Sequence, residues 1–193
     1  MKKIISTLLT VTLVIGMMLT LTSCGEKQPE TPKGYELYEN DYFSFAYPEE
    51  WELQKGSVTI IYDQSTGSNI NIMYEEKTDE YDNLDAQGFT EFIKESLAGT
   101  GGSFSDVYAQ KYETVNAELN TVTYIAKLYG ITYYQTALLV TVDDRTYSIA
   151  VTCQERDVMK DTVQTILDTF YVKDDRTFFE KVSDTVKETF NKE

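Results

Sequence analysis

The segment Tyr42-Phe43-Ser44-Phe45-Ala46-Tyr47-Pro48-Glu49-Glu50-Trp51 alternates aromatic and small residues, breaks at a proline, and carries the chain's only tryptophan just beyond the break. A strand repeats every two residues, so Phe43, Phe45 and Tyr47 share one face, directed at a core. Pro48 has no N–H to give a ladder, and the strand stops there in a turn. Trp51 is expected to come back over the same core.

Downstream, the pattern stays rich in strands. Residues 51–53 read as a short strand, followed by a turn at Lys55-Gly56. Residues 57–62 and 70–74 alternate as two strands around the loop Gln64-Ser65-Thr66-Gly67-Ser68-Asn69. Ala86, Phe89, Phe92, Ile93 and Leu97 then follow helical spacing, with Asp85 placed to cap the first turn and Gly99, Gly101 and Gly102 to end the helix. Four longer strands are expected over 104–115, 119–129, 131–142 and 145–153. They are joined at Asn116-Ala117-Glu118, Gly130 and Asp143-Asp144. A second helix begins at Asp157 with the stripe Met159, Val163, Ile166, Leu167 and Phe170. The fold class is therefore α+β, a mainly antiparallel sheet flanked by helices. Residues 173–193 form a separate tail in which Phe178, Val182, Val186 and Phe190 recur every four residues. This is the pattern of an amphipathic helix that docks on its own domain or meets a partner.

The beginning of the chain has another character. Lys2 and Lys3 precede an apolar run from Ile4 to Leu21, and Leu21-Thr22-Ser23-Cys24 resembles the bacterial lipobox. That resemblance implies cleavage after Ser23 and diacylglycerol attachment to the Cys24 thiol. The protein would then be lipid-anchored at a bacterial cell membrane, facing outside the cytoplasm. Residues 1–23 are the expected signal peptide. Residues 24–34 hold two prolines and no apolar period, and are expected to be a tether.

Composition excludes more than it proposes. The chain carries a net charge of -15, which opposes binding to nucleic acid. It has no histidine, which removes Ser-His and Cys-His nucleophiles and histidine-held zinc or iron. Cys153, in the strand-like run Tyr147–Cys153, is expected to be a buried, inert thiol. Paired carboxylates occur at Glu49-Glu50 and Glu75-Glu76. Neighbours on a strand point to opposite faces, so neither pair suits acid–base hydrolysis. Asp79, Glu80, Asp82 and Asp85 offer oxygen ligands for calcium but lack EF-hand spacing, and a solvated loop with a helix cap accounts for them. Tyrosine is abundant, with 15 residues. Tyr124, Tyr129, Tyr133, Tyr134 and Tyr147 fall on neighbouring strands, either as sheet packing or as a contact face.

Phe43-Ser44-Phe45-Ala46-Tyr47-Pro48-Glu49-Glu50-Trp51 resembles the opening of the PsbP-like proteins. The close of the domain, a strand ending near Cys153 and a helix ending Ile166-Leu167-Asp168-Thr169-Phe170, is similar too. The resemblance covers residues 35–172 and implies an α/β/α sandwich of Mog1/PsbP type. Plant PsbP subunits support the oxygen-evolving photosystem and Mog1 binds a small GTPase; no residue quoted above marks either partner. The expectation for this chain is a non-catalytic module for binding or assembly in an envelope protein complex. It needs no cofactor or metal, and its contact residues would come from Tyr133, Tyr134, Tyr147, Phe178 and Phe190. The competing expectation is a ligand-binding lipoprotein feeding a transporter, with a pocket between sheet and helix. Replacing the acyl acceptor tests the anchor: Cys24→Ser is expected to move the protein from the membrane pellet to the soluble fraction, measured by fractionation and immunoblot.

Overall fold

The computed structural model describes residues 27–76, 88, 91, 94, 95, 102–142 and 145–173. The aromatic segment does form a strand, β2 (Phe43–Pro48), ending at the proline, and Trp51 returns to the core with its N–H on the Pro48 carbonyl at 3.0 Å. It does not join the main sheet. It is the centre of a small sheet, between β1 (Tyr35–Glu39) and β10 (Tyr171–Val172), neither of which the sequence pattern singled out.

The main sheet is built from β3 (Glu52–Gln54), β4 (Thr59–Tyr62), β5 (Asn69–Glu76), β6 (Ser103–Glu113), β7 (Glu118–Leu128), β8 (Ile131–Val142) and β9 (Arg145–Cys153). These seven strands stand in the order β3-β4-β5-β9-β8-β7-β6, and the described pairings are antiparallel. All of the expected strands are present, most with ends moved by one or two residues. Tyr129 and Gly130, both at positive φ (52° and 82°), make the two-residue turn that closes β7 onto β8. The helix α1 runs Arg156–Thr169.

Alternation decides what each face of the main sheet meets. Ile70 pairs with Val151, Ile72 with Ile149, and Ile149 in turn with Leu138, so one apolar row crosses three strands. The inward stripe of α1, Met159, Ile166 and Leu167, packs on that row together with the small sheet, and all of these side chains are buried. Phe43 lies where the layers meet, its ring 4.9 Å from Tyr147 edge-on, 5.3 Å from Phe170 and 6.2 Å from Phe45. Cys153 is buried here, and burial pushes its thiol pKa up, as expected of an inert cysteine.

The expected single-face burial of β2 is exceeded. Ser44 and Ala46, on its other face, are also fully buried, and Ser44 accepts a hydrogen bond from Gln28 of the preceding segment. The Thr169 hydroxyl accepts from the Ala46 N–H at 2.8 Å, so the end of α1 continues the ladder that β10 begins. An α+β fold with a mostly antiparallel sheet is thus observed. The expected helix over 86–97 falls largely outside the described residues, although Gly88, Glu91, Lys94 and Glu95 are helical. The Asp143-Asp144 turn and the tail from 174 lie outside them too.

The last described turn of chain is clamped. The Asn116 carboxamide donates to the Val172 carbonyl at 2.7 Å and accepts from its N–H at 3.0 Å, while Lys173 N–H bonds the Tyr42 carbonyl at 2.7 Å. Asn116→Ala removes both side-chain bonds. It is expected to cost about 2 kcal/mol, read as a lower urea midpoint with an unchanged m-value.

Candidate functional site

α1 lies over β8 and β9; on the same face Leu119 and Thr121 of β7 are buried, while Thr123 of β7 and the outer strand β6 are left facing an opening. What remains is an open groove of about 540 Å³ between the helix and β6. Its β6 wall exists because of a bulge. Ser105 pairs with Ile125 and Tyr108 with Thr123, so two residues, Asp106 and Val107, stand opposite the single Tyr124. Asp106 takes the extra step at φ 54°. Without that residue the parity of β6 would reverse, sending Tyr108, Gln110 and Tyr112 to the other face. With it, all three line the groove, and Tyr108 is 61% exposed there.

The floor is polar and internally satisfied. Thr123 and Thr136 share a hydroxyl hydrogen bond at 2.9 Å, and Thr136 also donates to the Met159 sulfur at 3.1 Å. On the helix wall, the half-buried Val163 gives apolar surface above the buried Leu167, and Gln164 donates to Asp168 at 2.7 Å. Asp106 and Asp161 are offset by Arg156 and Lys160, so a strongly acidic chain has here a charge-balanced recess. An open, mixed surface of this kind suits binding by shape and apolar contact.

The tyrosines named from the sequence do not form one face. Tyr147 belongs to the core, 4% exposed, against Tyr42, Phe43 and Tyr74. Tyr133 and Tyr134 are adjacent on β8 and therefore point oppositely, Tyr134 toward the main core and Tyr133 toward the cluster on the far face. Tyr124 is buried, and Tyr129 stands 98% exposed at its turn. Packing, not display, is the use this sheet makes of most of them. Near Tyr147, the Arg145 guanidinium lies 4.9 Å from the Tyr42 ring centre and 5.2 Å from that of Tyr74, a cation–π stack. Cys24, Phe178, Phe190 and the acidic loop Asp79, Glu80, Asp82 and Asp85 lie outside the described residues. Among the described residues no cluster of three acidic or cysteine side chains could hold a metal ion. Glu49 and Glu50 sit exposed in the turn after Pro48. Sequence reasoning missed Tyr108, Gln110 and Tyr112 as a set. The signal was available: Phe104 and Val107 are an odd number of residues apart, yet both are apolar in one strand and both pack on the far cluster.

Among the described residues, a small sheet and the helix α1 stacked on a long antiparallel sheet make this a PsbP-like fold. The particular likeness is to the solution structure of cyanobacterial PsbP (CyanoP) from Synechocystis. The TM-score is 0.55 at 15% identity, over 78% of this chain and 99% of that one. Two other solved structures align less well. A Bacteroides thetaiotaomicron protein matches at TM-score 0.48 and 12% identity, over 78% of this chain and 50% of that one. LpqN of Mycobacterium tuberculosis, described as involved in cell envelope biogenesis, matches at TM-score 0.47 and 11% identity, over 72% of this chain and 91% of that one. No family model matches the chain, and no curated protein does. At such identities the likeness describes the fold, not the activity.

Buried tyrosines also set a pH limit. Tyr47 is pushed up to about 12, first by burial and then by its hydrogen bond to Glu36 and that carboxylate's charge. Burial raises Tyr124 and Tyr147 as well. Each favours the protonated phenol in the folded state, so its contribution is complete below the ordinary tyrosine range near pH 10. It is lost as pH rises from there through the folded value. Stability is expected to fall between about pH 10 and 12, with phenolate absorbance at 295 nm rising together with loss of near-UV circular dichroism. Tyr47→Phe is expected to shift that transition to higher pH.

Proposed function

We propose that the protein is a lipid-anchored, extracytoplasmic binding module without catalytic activity, supporting the assembly of an envelope protein complex through the groove between α1 and β6. The observation that carries this reading is the groove itself. It presents an exposed Tyr108, the half-buried Val163 of the helix and balanced charges, and its floor hydroxyls already bond one another and the Met159 sulfur. The lipobox-like Cys24 supplies the anchor, residues 24–34 the tether and residues 35–172 the domain. We infer further that the domain is completed as an α/β/α sandwich. Val122 is fully buried on the face away from α1, with Tyr124, Ala126, Ala137 and Leu139 around it, and the helical pattern of 86–97 is the segment suited to cover them. Among the described residues no helix is long and apolar enough to cross a membrane.

One observation favours a second reading, a ligand-binding lipoprotein that feeds a transporter. The groove volume falls within the range of about 300–1,000 Å³ found for small-molecule sites.

Site-directed photocrosslinking in cells separates the two. A photoreactive residue at position 108 is expected to capture a reproducible envelope protein, whereas the same residue at position 129, on the exposed β7–β8 turn, is not. Equal background at both positions would overturn the assembly reading. A thermal-shift response to envelope small molecules, lost on Tyr108→Ala, would support the transporter reading in its place.

A further inference from the structure

The described chain ends at Lys173, and its position decides what can reach the groove. The Asn116 clamp ties Val172 to the turn between β6 and β7, and Tyr112, four residues before Asn116, lines the near end of the groove. Tyr112 also marks the C-terminal end of the α1 wall, where its hydroxyl donates to Gln164 at 3.5 Å. Asp106 and Arg156 mark the far end. Residues 174–193 therefore start beside one mouth of the groove.

Length and pattern fit this recess. The groove wall from Asp106 to Tyr112 spans about 20 Å of strand, and α1, with 14 residues, about 21 Å of helix. A helix over residues 174–190 would extend about 25 Å. Its stripe Phe178, Val182, Val186 and Phe190 would be one apolar face, with Glu180, Asp184 and Glu188 on the opposite one. The groove offers Tyr108, Tyr112 and Val163, with the buried Leu167 beneath them, and its charge balance opposes no such segment.

We propose that the C-terminal segment folds back from Lys173 and lies in the groove antiparallel to α1, with Phe178 near Tyr112 and Phe190 near the Asp106 end. The inference rests on the groove being the binding surface and adds its regulation. The partner must displace the chain's own tail, so the tail acts as an internal competitor that sets apparent affinity.

Hydrogen–deuterium exchange on detergent-solubilised full-length protein tests this. The chain ending at Lys173, and full-length protein carrying Phe178→Asp and Phe190→Asp, are expected to exchange several-fold faster over residues 106–112 and 156–164. Exchange over β9 should be unchanged. A synthetic 174–193 peptide added to the shortened chain should restore the protection, and its Asp-substituted form should not. Identical exchange in all three proteins would overturn the proposal. Protection that survives shortening and rises with protein concentration would place a second copy in the groove and overturn it equally. If position 108 still captures an envelope protein while the tail leaves exchange unaffected, the groove reading stands and tail docking falls. If capture is lost while tail protection is intact, tail docking stands and the groove is no longer the partner's site.

Discussion

Phe43 is the point at which three layers are held together. Its ring touches Tyr147 of the main sheet, Phe170 at the end of α1 and Phe45 of its own strand, and it is fully buried. Rings at these separations gain edge and offset contacts beyond plain area burial. Among the described residues the small sheet has three strands, one of them, β10, two residues long. It persists because Phe43 and Phe45 bury one face on the main core, while Thr169 and β10 complete the edge of β2. The position of α1 follows from the same junction, and so does the open groove beyond it. A layer anchored over β9 and β8 leaves β6, and β7 at Thr123, open on that face.

The periodicity of the sequence carried most of this architecture. Alternation located the strands of the main sheet, and the stripe from Met159 to Phe170 located α1 with its buried face. The partition into two sheets was not legible. An isolated strand looks the same whether its neighbours come from a hairpin or from the far end of the chain, and β2 is flanked by both. β10 has two residues, too few for any period to register. The PsbP-like likeness drawn from Phe43–Trp51 holds at the level of fold.

The site was harder to read for two physical reasons. A tyrosine fits a half-buried sheet as well as an exposed one, so composition alone could not separate Tyr147, which is core, from Tyr108, which is not. The bulge at Asp106 then inverts the parity of β6, and alternation counted straight through it assigns every later residue to the wrong face. Functional surfaces often collect at such irregularities, because a bulge re-aims side chains without altering the strands around it.

The two ends of the domain also enter and leave in a telling way. Tyr35 pairs with Pro48 at one end of β2, and Val172 pairs with Phe43 at the other. A pull applied between residue 35 and residue 173 therefore runs along β2 rather than across it. The hydrogen bonds of both its edges would be loaded in shear, together, instead of opening one by one like a zipper. The Asn116 carboxamide reinforces the shorter edge, where only two residues pair.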